Sequence, residues 1–184
     1  DASHAGRDSG ITVGGIQSNH CRATAAAARR VGLVPHIILR TSEPTDADPG
    51  LVGNLMVDRL VGAKIHLVSD AEFARKGGWK LCCELRDDLE DAGSKPYAFP
   101  SGGSNSLGSW GYTHAVDEIC EQVRSGGLEP LDRIYFACGS GGTAAGLALG
   151  VHYSGLGETG TELVGLCVDD TPDFFYDKIN GLMR

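Results

Sequence analysis

No stretch of this sequence is long and apolar enough to cross a bilayer, which takes about 20 residues, and nothing at its start reads as a signal peptide. Positive charge is scarce. Sixteen Lys and Arg stand against 24 Asp and Glu, for a net charge of −8 and a pI near 5.1. Nucleic acids and anionic membranes need clustered Lys and Arg, so neither is an expected partner. No two cysteines are spaced CxxC, and no CxxC…HxxxH pattern suggests zinc. His4, His36, His66, His114 and His152 are scattered without ligand spacing, so no metal is expected and core or solvated histidines are. An intracellular, soluble protein, cytoplasmic or organellar, fits these absences.

What is present is ordinary in amount and unusual in placement. The 184 residues are 41% hydrophobic and 22% charged, enough for one domain or two small ones. The 27 glycines, about twice the usual share of about 7%, fall at turns and in two dense clusters. Of the six cysteines, Cys138 and Cys167 lie in apolar runs and read as small buried hydrophobes. The chain opens without Met and stops at Gly181-Leu182-Met183-Arg184 within an apparent helix. It is expected to be a piece of something longer.

Short apolar runs alternate with helix-length segments. Strands are expected over 11–14, 36–40, 64–68, 97–100, 133–138 and 162–168, and helices over 19–31, 50–61, 79–91, 109–124, 142–153 and 173–183. Near-continuous apolar strands are those buried on both faces. The alternation predicts an α/β fold of open, twisted parallel sheets with flanking helices. Ligands of such sheets bind beyond the carboxyl ends of the strands, so the loops after each strand are the ones to read.

Two of these loops are unusual. Gly14-Gly15-Ile16-Gln17-Ser18-Asn19-His20 joins a strand to an Ala-rich helix. Its glycines permit close backbone approach, Ser18 and Asn19 are good helix N-caps, and the free N–H groups of a helix start suit an anion. A capped turn is the plain alternative, and the crowd of Gln17, Ser18, Asn19, His20 and Arg22 favours a site. Cys138-Gly139-Ser140-Gly141-Gly142-Thr143-Ala144 precedes a helix of small residues, and its N–H groups and hydroxyls are suited to cup a phosphate. It lacks the Gly-Lys-[Ser/Thr] of a Walker loop and the third glycine of a dinucleotide fingerprint. Gly139-Ser140-Gly141 is a poor match to a hydrolase elbow. A small phosphate ester is the ligand left. A third loop, 101–108, reads slightly more as a connector than as a cleft border. Asp169-Asp170 reads as a polar strand end, and Lys76, Lys80 and Lys95 as surface charges.

These loops together resemble the D-cysteine desulfhydrase and 1-aminocyclopropane-1-carboxylate (ACC) deaminase family of fold type II, tryptophan-synthase-β-like pyridoxal-phosphate (PLP) enzymes. The strings that carry the resemblance are GGIQSNHCRATAAAA at 14–28, GNLMVDRLVGAKIHLV at 53–68, KPYAFPSGGSNSLGSWGY at 95–112 and ACGSGGTAAGLALG at 137–150. The resemblance implies that Ser18 sits by the substrate and handles a proton, and that Asn19 hydrogen-bonds the PLP 3′-oxygen. It implies that the backbone around Ser18, Asn19 and His20 receives the substrate carboxylate, and that Ser140, Gly141, Gly142 and Thr143 hold the PLP phosphate. Residues 1–100 would form the smaller α/β domain and 101–184 the beginning of the larger cofactor domain. The implied reaction of the full-length protein is β-elimination of D-cysteine to pyruvate, ammonia and hydrogen sulfide, by a homodimer. ACC deamination is the nearest rival, and a non-catalytic phosphate-binding fragment is the rival of another class. No residue here matches the family's Schiff-base lysine or its C-terminal tyrosines. This polypeptide alone is therefore expected to be inactive.

Overall fold

The structure is a computed structural model that describes residues 6–168 and 170–184, so His4 and Asp169 lie outside the described residues. The chain divides into two compact units, Asp1–Gly102 and Gly103–Arg184.

The first unit is built on a four-stranded sheet. Its elements are β1 (Ser9–Gly15), α1 (Asn19–Arg30), β2 (Val34–Thr41), α2 (Gly53–Leu60), β3 (Lys64–Ser69), α3 (Asp70–Lys76), α4 (Gly78–Asp91) and β4 (Pro96–Ala98). All pairings are parallel, in the order β3-β2-β1-β4. The chain steps outward from β1 to β3 and then returns to the far side of β1 with β4. The carboxyl end of β1 is therefore the switch point at which open α/β sheets bind ligands.

Both faces of the sheet are covered, as the uninterrupted apolar strands require. Ile37 and Leu39 of β2 pack with Cys21 and Ala25 of α1 and Leu55 of α2. Ile38, one residue out of phase, packs on the other face with Ile11, Val13, Val68, Leu81 and Cys82. Helix α3 falls outside the expected elements. Its seven residues are too few to show a period, yet Ser69 caps it by accepting from the Glu72 N–H at 3.2 Å. Asp70 and Glu72 in its first turn and Arg75 and Lys76 in its last suit the helix dipole. The helix expected from residue 50 begins instead at Gly53, and the strand expected over 97–100 is Pro96–Ala98.

The second unit holds α5 (Ser106–Arg124), β5 (Arg133–Cys138), α6 (Gly142–Ser154), β6 (Glu162–Cys167) and α7 (Pro172–Leu182), with β5 and β6 paired in parallel. Helix α5 starts three residues earlier than expected because Asn105 caps it, its Oδ1 accepting from the Gly108 N–H at 2.7 Å. Val116 of α5 and Leu147 and Val151 of α6 form the core beneath Ile134, Phe136 and Leu163. The expectation of strands buried on both faces fails here: Tyr135 is 61% and Leu166 58% exposed. The helices cover one face of this two-stranded sheet and leave alternate side chains open. Cys138 is buried as expected, whereas Cys167, its register partner at the end of β6, is exposed.

Candidate functional site

In the first unit, the loop after β1 delivers Ser18 as the N-cap of α1. Its backbone is extended, its N–H bonds the Gly15 carbonyl at 2.9 Å, and its Oγ accepts from the Cys21 N–H at 3.2 Å. Gly14 makes this turn possible. A Cβ there would lie 2.7 Å from both Ser18 Oγ and Cys21 Sγ. With Cys21 N–H satisfied by the cap, the N–H groups of Asn19 and His20 have no partner within the helix. They sit at the positive end of the α1 dipole. Ser18 Oγ already accepts, so its hydrogen remains available to donate.

The His20 ring is committed elsewhere. Its Nε2 lies 2.7 Å from Thr12 Oγ1, whose own hydrogen goes to the Phe99 carbonyl at 3.3 Å. Those partners are satisfied with the proton on Nε2. Burial holds the ring below the ordinary histidine pKa. What His20 offers a ligand is its main-chain N–H.

Gln17 and Arg22 stand out beside Asn19 in the sequence, but Asn54, which joins them, does not. Asn54, at the start of α2, donates from Nδ2 to the Gln17 carbonyl at 2.8 Å and to Asn19 Oδ1 at 3.0 Å. Its N–H donates to Gln17 Oε1 at 2.8 Å, and its Oδ1 accepts from Arg22 Nη1 at 3.0 Å. Gln17 Nε2 closes the ring on the Val52 carbonyl at 3.2 Å. One turn of α2 thus interlocks with the whole of the Gln17–Asn19 segment. The only signal in the sequence was the Gly-Asn at the head of the second resembling string.

In the second unit, β5 leads through Gly139 and Ser140 into α6. Gly141 occupies the N-cap position with φ +89°, a conformation that favours glycine, and has no side chain of its own to cap the helix. The N–H groups of Thr143 and Ala144 have no partner within the helix. Ser104 supports the turn. Its Oγ accepts from the Gly142 N–H at 3.0 Å and donates to Ser140 Oγ at 2.6 Å. The loop read as a connector therefore contributes a residue to the cup. A Cβ on Gly142 would meet Ser104 Oγ at 2.6 Å, so the cradle is shaped for a residue without a side chain. Free N–H groups, two hydroxyls and a helix dipole fit a phosphate monoester. A Cβ on Gly141 would lie 3.7 Å from Lys178 Cγ, but the Lys178 ammonium lies over the Phe174 ring at 5.4 Å.

Other sequence candidates have partners of their own. His36 and His66, on neighbouring strands, stack at 5.3 Å with Nδ1 and Nε2 3.1 Å apart. Lys76 is held between Glu72 at 3.0 Å and Glu84 at 2.6 Å. Among the described residues no cluster of three or more His, Cys, Asp or Glu could hold a metal ion, and no helix is long and apolar enough to cross a membrane.

Comparison with known proteins gives these loops a context. A family model described as pyridoxal-phosphate dependent enzyme matches residues 2–181. The chain is 52% identical over 179 residues to the mitochondrial bifunctional D-cysteine desulfhydrase/ACC deaminase of Arabidopsis thaliana, covering 96% of this chain and 44% of that protein. It is 41% identical to a putative ACC deaminase of Thermotoga maritima, covering 94% and 52%. The crystal structure of an ACC deaminase homologue superposes with a TM-score of 0.77 at 33% identity, covering 100% of this chain and 52% of that one. The chain spans about half the length of the relatives it matches.

Proposed function

Because this chain belongs to the family of pyridoxal-phosphate dependent enzymes, we propose that it supplies the phosphate cup and the substrate loop of a PLP-dependent lyase acting on D-cysteine. The observation that carries the reading is the turn from β5 into α6, where Gly141, Gly142 and the Ser104–Ser140 pair leave a helix start open to a phosphate ester. D-cysteine as substrate is supported by the name of the Arabidopsis relative. The whole reaction takes D-cysteine and water to pyruvate, ammonia and hydrogen sulfide.

Each residue then has a task that its surroundings suit. Ser140 and Thr143 hold the phosphate through their hydroxyls, and Thr143 and Ala144 through their N–H groups. Asn19 hydrogen-bonds the 3′-oxygen of the cofactor ring. PLP, when bound, supplies the electron sink that lets an amino acid lose its α-proton. The N–H groups of Asn19 and His20, aided by the α1 dipole, receive the substrate carboxylate. Ser18 holds its hydrogen free beside that carboxylate and handles the proton there. The enzyme would work inside the cell as a homodimer.

ACC deamination is the second reading, favoured by the Thermotoga relative and the superposed structure. The test is to load the native-length protein with PLP and assay D-cysteine for sulfide and ACC for 2-oxobutyrate. Sulfide at the higher kcat/KM supports the first reading, and 2-oxobutyrate at the higher kcat/KM replaces it with the second. If neither is released above the rate with free PLP, both activities are rejected, leaving a phosphate-binding module.

A further inference from the structure

We infer that Asn54 is a positioning residue that sets the facing of the Asn19 carboxamide, so that the NH2 end of Asn19, and not its oxygen, meets the PLP 3′-oxygen. This rests on the reading of Asn19 as a cofactor contact and adds what that reading leaves open. A carboxamide has a donor end and an acceptor end of nearly the same shape, and only its partners decide which faces where. A 3′-oxygen that carries negative charge needs the donor end. An Asn19 turned the other way would set oxygen against oxygen.

The orientation of Asn54 is forced twice. A backbone carbonyl can only accept, so the group 2.8 Å from the Gln17 carbonyl must be the Asn54 NH2. A guanidinium can only donate, so the group 3.0 Å from Arg22 Nη1 must be the Asn54 oxygen. The second hydrogen of that NH2 then points to the Asn19 side chain at 3.0 Å, which can receive it only through Oδ1. The NH2 of Asn19 is the end left over, on a residue that is exposed and open to a ligand.

The network also fixes Asn54 itself. Its N–H is held by Gln17 Oε1, and Gln17 is oriented in turn by the Val52 carbonyl, again a pure acceptor. Gly53, with φ +54°, lets α2 approach this closely, since a Cβ there would lie 3.0 Å from Gln17 Cδ. The charge of Arg22 draws the pKa of the buried Asp58 carboxyl down against the effect of burial. The Asn19 facing is thereby set before any cofactor arrives, which is how a preformed site avoids reorganisation on binding.

The experiment uses the native-length protein and PLP as the probe, in Asn54→Asp, Asn19→Ala and the double variant. Asn54→Asp keeps the size and the Arg22 contact but replaces the NH2 by an acceptor, so Asn19 must turn its own NH2 toward it. PLP affinity should fall about tenfold, a loss of about 1.4 kcal/mol, and the absorption maximum of bound PLP should shift. Asn19→Ala should do the same, and adding Asn54→Asp to it should change nothing further. An unchanged affinity and spectrum in Asn54→Asp, with both altered in Asn19→Ala, would refute the role of Asn54 while leaving Asn19 in place. Additive losses in the double variant would also refute it, since Asn54 would then act on the fold and not through Asn19. No change in Asn19→Ala would remove the cofactor contact and the inference with it. If Asn54→Asp fails to fold, Asn54→Ala, which removes the donor without adding an acceptor, should still weaken PLP about threefold.

Discussion

Replacing Gly146 by Ala should destabilise the second unit, although alanine is the better helix former. Glycine costs a helix interior about 0.5–1 kcal/mol relative to alanine, so an unpacked position would gain that much. Gly146 is packed. A Cβ there would lie 2.6 Å from Tyr112 Cβ and closer still to the Ser109 carbonyl oxygen, both on α5. The Ser109 atom is main chain and cannot rotate aside. Ordinary carbon contacts begin near 3.5 Å, so α5 and α6 must part by roughly 1 Å. That separation would also stretch the Thr113 Oγ1 bond to the Gly146 carbonyl, now 3.2 Å, and the Ser109 Oγ bond to the Gly142 carbonyl, now 3.4 Å. Overpacking of this kind costs about 1–3 kcal/mol, sometimes more. The net loss should be about 1 kcal/mol after the propensity gain, or about 2–4 °C in Tm for a chain of this size.

The assay follows Trp110 on α5, with Trp79 replaced by Phe so that the signal comes from the second unit alone. Gly111→Ala is the control. It lies on the same helix as Trp110, is exposed, and a Cβ there meets nothing within 4 Å. The control should raise the unfolding midpoint in urea and Gly146→Ala should lower it. If both raise it, the close approach of α5 and α6 is not what glycine serves at this position. The cup rides on the same helix, so the PLP affinity of the native-length protein should weaken in Gly146→Ala and stay level in Gly111→Ala.

Further outcomes follow from single residues. Asp58 is fully buried with neither carboxyl oxygen hydrogen-bonded, and burial raises its pKa from 3.8 to about 6 despite the nearby Arg22. The fold therefore keeps a proton that the unfolded chain releases, so stability is greatest below the unfolded value and falls, by at most about 3 kcal/mol, as pH rises to about 6; Asp58→Asn should flatten that slope in urea titrations, and an unchanged slope would assign it to another group. Ser18→Ala should lower stability by about 1 kcal/mol through loss of the α1 cap and lower kcat about 100-fold or more, whereas a wild-type kcat in the PLP-loaded protein would dismiss Ser18 from proton handling. Gly142→Ala should displace Ser104, break its bond to Ser140 and speed loss of PLP on dialysis, and retention equal to wild type would show that the cup tolerates a side chain.

The legible and illegible parts of this molecule differ in range along the chain. The Ile37-Ile38-Leu39 run of β2 announces a strand with both faces covered, and both are. Ile134-Tyr135-Phe136-Ala137 of β5 is equally apolar, yet alternate residues are open. An apolar run reports residue type, and the cover comes from elements elsewhere. Ser18 was readable as a cap because the partner of its Oγ is three residues away. Ser104 and Ser140 lie 36 residues apart, and Asn54 and Asn19 lie 35 apart. No local pattern joins them, so Ser140 and Asn19 stand out in their own loops while the loop of Ser104 reads slightly more as a connector and Asn54 does not stand out at all. The His36–His66 stack was hidden for the same reason, since it depends on the register that sets Ile38 beside His66.

Glycine shows the same division within one residue type. Gly111 and Gly146 are both helical and neither has positive φ, so backbone conformation does not separate them. What separates them is the atom a Cβ would meet, and that atom belongs to another helix. A partial signal existed. Gly142, Gly146 and Gly150 recur every four residues, which places them on one face of α6. All three are positions where a Cβ would collide, with Ser104, with Ser109 and Tyr112, and with Val116 in turn. Gly111 has no companion four residues away on α5, and the nearby Gly108 serves the helix start, where a Cβ would meet the Gly103 carbonyl. Spacing along a helix thus distinguishes a glycine that admits a neighbour from one that merely weakens its helix, and here the admitted neighbour holds the cup in place.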